Sequence, residues 1–223
     1  MKQKIFSPIL AGVMIGIAGC AYLNTGGLPG AALFAFGLLS VVAWKLDLFT
    51  GRSGFWSGRQ IWNLIPVLLL NIVGVVAVAL VSMKPESAVA AIGIIEKRMS
   101  TPWLNLFLLS GLCGLIMTTA VKFGKEGNWW PLLFGVPTFI MSGFPHCVAD
   151  IYYWTAALQE GFSFTDGLPV YLVTVLGNYV GCNAPRLIPG FTASLAEKVA
   201  EPGESDSIQG LRESVATEIQ TEE

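Results

Sequence analysis

The feature that most constrains this chain is an apolar run of about 30 residues, from Trp129 to Leu158. A single membrane-spanning helix needs only about 20 apolar residues, so the run is too long for one simple crossing. It contains Pro137 and the segment 143–150, which reads Gly-Phe-Pro-His-Cys-Val-Ala-Asp. We therefore expect a membrane helix broken at Pro137 and again at 143–145, because irregular backbone at membrane depth is tolerated where it lines a cavity.

The only histidine of the protein, His146, lies in this interruption. Ionisable groups at membrane depth are costly and by default mark a pathway or a binding site. Histidine titrates near physiological pH when unperturbed, so it can attract an anion as imidazolium or give it a proton. In a soluble protein a structural histidine would be the better interpretation, but beside a helix break we favour a functional one.

The composition indicates a membrane protein along most of the chain. It is 53% hydrophobic and 13% charged, and soluble domains carry about twice that share of charge. Residues 83–101 are more polar and predict a loop or a short surface helix. Six apolar spans are predicted: Pro8–Asn24, Leu28–Trp44, Trp62–Ser82, Pro102–Lys122, Trp129–Leu158 and Leu168–Ile188.

Charge divides the chain into two unlike parts. Residues 1–190 contain 11 Lys and Arg and 7 Asp and Glu, whereas residues 191–223 contain 2 and 8. We predict a six-span transmembrane domain over 1–190 and an acidic, flexible cytoplasmic tail over 191–223. Six spans put both termini on one side, and most Lys and Arg fall inside if that side is the cytoplasm. The expected location is the inner (plasma) membrane.

The two halves of the chain share a sequence pattern. The second span ends in Lys45–Ser53, a charged segment with a glycine, which predicts a second broken helix; a plain span end is the alternative. Spans three and six each carry Asn-x-x-Gly, at 71–74 and at 178–181. The pattern predicts an all-α membrane protein with an inverted three-plus-three repeat, whose breaks, Lys45–Ser53 and Gly143–Asp150, meet near the midplane.

These segments resemble the formate/nitrite transporter family. Residues 47–50, Asp-Leu-Phe-Thr, match the family's first loop, and residues 143–150 are similar to its Gly-Phe-Glu-His-Ser-x-Ala-Asn. Residues 177–181 match its Gly-Asn-x-x-Gly, and the resemblance extends over about residues 5–190. It implies an aquaporin-like six-helix protomer, with helices two and five broken by loops. It also implies a homopentamer with one pore per protomer.

The resemblance further implies a pore in which two apolar constrictions flank a central histidine. Phe34, Leu38 and Leu48 are expected at the constriction near the first break, and Phe139 at the other. Thr50 is expected to hydrogen-bond near the histidine. The expected substrate and pore residues are His146, Thr50, Leu48, Phe34, Leu38, Phe139, Asn178, Lys45, Asp47 and Asp150.

Several positions around these loops depart from the family pattern. The family's loop Glu, loop Asn residues, loop Gly and span-four Asn are replaced here by Pro145, Asp150, Arg52, Lys45 and Gly114. We hypothesise that Lys45 pairs with Asp47 or Asp150. Lys97 or Arg98 is expected to gather anions at an outer vestibule, with a solvated charge run as the alternative.

The leading functional prediction is a passive or proton-coupled channel for a small monovalent anion, formate first. Nitrite, hydrosulfide and short monocarboxylates stay open. An apolar constriction favours a protonated weak acid over a bare ion such as chloride. A neutral-solute channel and a non-conducting scaffold are alternatives from other classes.

An enzyme is not expected from this sequence. It has one histidine, four cysteines without metal-ligand spacing and no nucleotide motif, so no metal or cofactor is predicted. The expected partners are the anion, protons, the lipid bilayer and further copies of the chain, without nucleic acid.

Overall fold

The computed structural model describes residues 2–55 and 62–187, and within them the chain is all-helical. Met1–Pro185 form one compact unit. A second unit, Arg186–Glu223, contains two described residues. The acidic tail predicted for 191–223 lies outside the described residues, so the division at residue 190 stays a prediction.

Nine α-helices are described in these two ranges. They are α1 (Lys2–Thr25), α2 (Gly27–Ala43), α3 (Phe49–Ser53), α4 (Leu64–Ser82), α5 (Pro85–Ser100), α6 (Trp103–Lys125), α7 (Trp130–Met141), α8 (Cys147–Gln159) and α9 (Phe164–Asn183). A short 3₁₀ helix, Ala184–Leu187, follows α9. The segment predicted as a loop or short surface helix is α5, a helix of 16 residues.

The second and fifth predicted spans are each divided into two helices. The first break, residues 44–48, separates α2 from α3, and the second break, residues 142–146, separates α7 from α8. Lys45 and Gly143 occupy the same place in the two breaks and both have positive φ, 55° and 70°. A left-handed residue just past a helix end turns the chain out of the helix axis.

The hydrogen bonds that end α2 and α7 are also the same. Leu46 N–H donates to the Val41 carbonyl at 2.8 Å, and Phe144 N–H donates to the Phe139 carbonyl at 2.9 Å. Each is the six-residue closure of a Schellman cap, which satisfies a carbonyl left free at the helix end. Backbone polar groups at both breaks are thereby paired inside the protein.

The predicted interruption at Pro137 is wrong. Pro137 lies inside α7, which continues to Met141. A proline removes one backbone hydrogen bond, and a membrane helix tolerates this loss where neighbouring groups compensate. The fifth span is broken at the left-handed Gly143 instead.

Close glycine contacts join two pairs of long helices. A Cβ on Gly74 of α4 would collide with the Ile9 carbonyl of α1. In the second half, a Cβ on Gly181 of α9 would collide with the Gly111 carbonyl of α6. The backbones of α1 and α4, and of α6 and α9, therefore pack at the separation that glycine permits.

Among the residues that the structure describes, three helices are long and apolar enough to cross a membrane: Ile5–Thr25, Leu64–Ser82 and Trp103–Lys125. Two shorter apolar helices, Gly27–Ala43 and Trp130–Met141, are the first halves of the divided spans. Phe164–Asn183 has 20 residues but is less apolar than these three. Length and composition thus identify three of the six predicted spans as single helices.

Candidate functional site

The two breaks meet at a buried hydrogen bond. Thr50 lies in the first turn of α3, and His146 directly precedes α8. The Thr50 hydroxyl oxygen and His146 Nε2 are 3.0 Å apart. Both residues are buried, with Thr50 at 0% and His146 at 2% relative exposure. The structure therefore joins the two segments that the sequence separates by 96 positions.

The backbone of α8 fixes the other side of the imidazole. Ala149 N–H donates to His146 Nδ1 at 3.1 Å, so the histidine caps its own helix. Because Nδ1 accepts this bond, we assign the ring proton to Nε2, which then donates to Thr50 Oγ1. In this arrangement the ring is neutral and both of its nitrogens are used.

Phe139 covers the histidine ring, and Phe34 packs against Phe139. Phe139 of α7 stacks on His146 with ring centroids 5.6 Å apart and an angle of 25° between planes. Phe34 of α2 meets Phe139 edge to face at 6.2 Å. The assignment of Phe34 and Phe139 to separate constrictions stays a prediction; the structure shows that the two rings, on α2 and α7, contact each other.

The two leucines expected at the first constriction are buried near the first break. Leu48 directly precedes α3 and has 0% exposure, and Leu38 of α2 has 1%. Leu48 occupies the same place before α3 that His146 occupies before α8. An apolar side chain and an imidazole thus stand at equivalent positions of the two breaks.

Asn178 of α9 holds the second break. Its side-chain oxygen accepts from Cys147 N–H at 2.7 Å, and its amide nitrogen donates to the Pro145 carbonyl at 2.9 Å. The same nitrogen donates to the Ser110 carbonyl of α6 at 2.8 Å. Asn178, which the sequence placed among the pore residues, therefore supports the backbone on both sides of His146.

The site contains a residue that the sequence-based set omitted, Asn71 of α4. Its oxygen accepts from Phe49 N–H at 2.9 Å, and its amide nitrogen donates to the Asp47 carbonyl at 2.9 Å and the Pro8 carbonyl at 2.7 Å. The signal that identifies it is the shared Asn-x-x-Gly pattern at 71–74 and 178–181.

The hypothesis that Lys45 pairs with an acid of the site is wrong. Asp47 forms an ion pair with Arg52, and Asp150 forms one with Arg98, whose Nε lies 3.2 Å from Oδ2. Within the described ranges neither acid pairs with Lys45, whose side chain is exposed.

Arg98 also braces the second break. Its Nη1 donates to the Gly143 carbonyl at 2.6 Å. Arg98 and Asp150 are 8% and 2% exposed, so the pair is largely shielded from water. The guanidinium expected at an outer vestibule is therefore committed to Asp150 and Gly143.

Each break adjoins a cavity. A cavity of about 230 Å³ at the second break is lined by Lys97, Arg98, Phe139, Phe144, His146 and Asp150, among others. A more open cavity of about 740 Å³ at the first break is lined by Phe6, Leu10, Trp44, Lys45, Asp47 and Arg52, among others. His146 is thus reached from the smaller cavity.

Residues 5–55 and 62–187 contain no group of three His, Cys, Asp or Glu side chains arranged to hold a metal. The four cysteines are free thiols in this structure. The chemistry that the described site offers is therefore that of one imidazole, hydroxyl and amide groups, and two paired carboxylates.

Comparison with known proteins finds a matching family model and a related sequence. A family model described as formate/nitrite transporter matches residues 1–184. The formate channel FocA of Haemophilus influenzae is 27% identical over 182 residues, a match covering 67% of this chain and 64% of that protein. The chain thus spans less than two thirds of this relative's length.

Two solved structures share the fold. A pentameric formate channel with formate bound superposes with a TM-score of 0.73 at 21% identity, over 87% of this chain and 97% of that chain. An FNT family ion channel gives a TM-score of 0.69 at 21% identity, over 81% and 85% of the two chains. At this level of identity, the likeness concerns the fold.

Proposed function

This chain belongs to the formate/nitrite transporter family, a family of membrane channels and transporters and not of enzymes, and we propose that it conducts small monovalent anions, formate first. His146 is the group that interacts with the anion in this proposal. The observation that carries it is the buried Thr50–His146 hydrogen bond, which joins the two breaks beneath the Phe139 ring. Nitrite, hydrosulfide and short monocarboxylates are the competing substrates.

The proposed channel has six spans in an inverted three-plus-three repeat, with both termini in the cytoplasm. Three duplicated features support the repeat: the left-handed caps at Lys45 and Gly143, the paired glycine crossings and one cavity at each break. The solved pentameric formate channel supports a homopentamer with one pore per protomer. Residues 191–223 would form the cytoplasmic tail of the domain 1–190.

The smaller cavity is the proposed entrance to His146. The charge of Arg98 is balanced by Asp150, whereas the exposed Lys97 at the rim has no ion-pair partner among the described residues. The positive charge of Lys97 would raise the local concentration of anions at the mouth. This assigns the anion-gathering role to Lys97 and a bracing role to Arg98.

An apolar passage next to the histidine favours transfer of the neutral acid. A bare carboxylate loses its hydration when it passes Phe34 and Phe139, and this costs several kcal/mol without a compensating partner. A proton on the anion removes most of that cost. The neutral His146 can donate its Nε2–H hydrogen bond to the anion in place of Thr50, and the proton that neutralises the anion is taken up from the solvent.

The deciding experiment is uptake into proteoliposomes of labelled formate, nitrite and hydrosulfide, with internal pH recorded alongside. The parent is expected to pass formate together with a proton and to exclude chloride. His146→Ala should lower formate uptake by at least about 10-fold, because a hydrogen bond to a charged group contributes about 1.5–3 kcal/mol. Cys113→Ala is the matched control, because Cys113 is equally buried in α6 but does not line the cavity.

Two results would contradict the proposal. A parent protein that passes none of the three anions would show that conduction does not extend to this chain. Equal formate uptake by the parent and by His146→Ala would remove the histidine from the mechanism. Faster uptake of nitrite or hydrosulfide than of formate would keep the channel and change its substrate.

A further inference from the structure

Each of the two buried asparagines hydrogen-bonds to the backbone on both sides of one residue in its break. Asn178 bonds to the carbonyl before His146 and to the N–H after it. Asn71 bonds to the carbonyl before Leu48 and to the N–H after it. The side-chain carboxamide therefore supplies the hydrogen-bond partners that the backbone of this segment would have in a continuous helix. The residues between these bonds are His146 and Leu48, which lie at equivalent positions of the two breaks.

The third hydrogen bond of each asparagine side chain joins the break to a long helix. Asn71 donates to the Pro8 carbonyl of α1, and Asn178 donates to the Ser110 carbonyl of α6. A side-chain amide has two N–H donors, and both are used in each case. Asn71 and Asn178 have 0% exposure, so these bonds form away from water. Each asparagine thus ties its break to two helices that cross at the glycine contacts.

The hydrogen bond from Phe49 N–H to Asn71 fixes the backbone one residue before Thr50, which is the hydrogen-bond partner of His146. The Phe49 N–H that Asn71 accepts belongs to the peptide that enters α3, and Thr50 is the next residue. A shift of this backbone would move the Thr50 hydroxyl from its position 3.0 Å from His146 Nε2. Asn178 controls the opposite side of the same bond through Cys147 and Pro145.

We propose that Asn71 is a positioning residue for the Thr50–His146 pair, and that it acts from the first break as Asn178 acts from the second. This inference rests on the proposed function, because the pair is the site at which the anion meets the histidine. Asn71 touches no substrate in this scheme. It determines where the Thr50 hydroxyl stands and, with it, how the channel discriminates a weak acid from chloride.

The test combines Asn71→Leu with Thr50→Val in a double-mutant cycle. Asn71→Leu alone is expected to lower formate uptake at least 10-fold and to reduce the formate-to-chloride ratio. In a Thr50→Val background the same change is expected to cost less than 2-fold, since the hydroxyl it positions is already gone. Asn71→Asp provides a second variant of the same size, which keeps the acceptor for Phe49 N–H and loses the two donations.

A second measurement does not depend on transport. Hydrogen–deuterium exchange of the intact protein is expected to speed up at residues 47–50 in Asn71→Leu, with residues 143–150 little changed. Asn178→Leu should give the reverse pattern. Val75→Ala and Thr174→Val are matched controls, because each lies one turn from its asparagine on the same helix and is buried, but neither side chain hydrogen-bonds to a break.

The outcomes separate the two proposals. Independent effects, in which the fold-changes of Asn71→Leu and Thr50→Val multiply in the double variant, would overturn the positioning role. So would unchanged exchange at 47–50 in both Asn71 variants. If the parent passes no formate, the proposed function fails. The hydrogen–deuterium exchange pattern alone then supports or overturns the positioning role of Asn71.

Discussion

At the scale of single residues, the ion pair of Arg98 and Asp150 explains a departure from the family pattern. The resemblance places an asparagine where this chain has Asp150, and a carboxylate there would be a buried, uncompensated charge without a partner. Arg98 supplies that partner from α5, in the segment where the sequence predicted a loop or a short surface helix. The substitution is therefore accommodated by a cation 52 positions away.

Loss of one member of this pair is expected to be costly. Arg98→Gln should lower the free energy of unfolding by about 3 kcal/mol, because it leaves the Asp150 charge buried and unpaired. The double variant Arg98→Gln with Asp150→Asn should recover at least half of the loss, since it removes both charges. Thermal unfolding of the detergent-solubilised protein measures both changes.

Lys97→Gln is the matched control for Arg98→Gln. Lys97 is adjacent in sequence but exposed, so its replacement should change stability by less than about 0.5 kcal/mol. Equal destabilisation by the single Arg98 variant and the double variant would show that the pair does not act through charge balance.

At the scale of elements, the two breaks share one backbone design with different residues. Gly143 occupies the left-handed position of the second break without strain, whereas Lys45 occupies the same position of the first. A residue with a Cβ pays about 1–2 kcal/mol for this conformation. The sequence indicated both breaks through their charges, prolines and glycines, but it could not show that Lys45 is the counterpart of a glycine.

Lys45→Gly is expected to stabilise the protein by about 0.5–1 kcal/mol, because relief of the left-handed strain exceeds the added entropy of the unfolded chain. Gly143→Ala should destabilise it by a similar amount. A Cβ at Gly143 would have space, with Lys97 Nζ 3.8 Å away, so strain alone is tested. Unfolding temperatures of the two variants check the prediction, and a loss of stability in Lys45→Gly would contradict it.

The helical elements also show where sequence patterns mislead. Pro137 suggested an end to the helix, yet α7 continues through it to Met141. A proline removes a single bond and leaves the helical φ available, whereas the left-handed Gly143 cannot continue a helix at all. Residue type alone does not distinguish these cases, because the backbone angle depends on what packs around the turn.

At the scale of the whole molecule, the protomer presents many large apolar side chains at its surface, including Phe36, Leu80, Leu104 and Phe134. Lipid and neighbouring subunits are the surroundings that such a surface fits. The proposed homopentamer would cover part of it and leave one pore in each protomer.

Native mass spectrometry of the detergent-released protein is expected to give a complex of five times the 23.9 kDa chain mass. Thr50→Val serves as the control, because Thr50 is buried inside the protomer and should not change the assembly. A monomer or dimer as the dominant species at the lowest detergent concentration would contradict the pentamer.

The sequence by itself determined the class of protein, the family, the two broken segments and the position of the histidine in the second of them. Hydropathy, glycine spacing and short motifs report these directly, because each depends on residues close together in the chain. Only the tertiary structure decided that Arg98 pairs with Asp150, that Phe34 packs against Phe139 and that Asn71 matches Asn178. Those contacts join residues between 22 and 105 positions apart, so they depend on how helices pack and not on any local pattern.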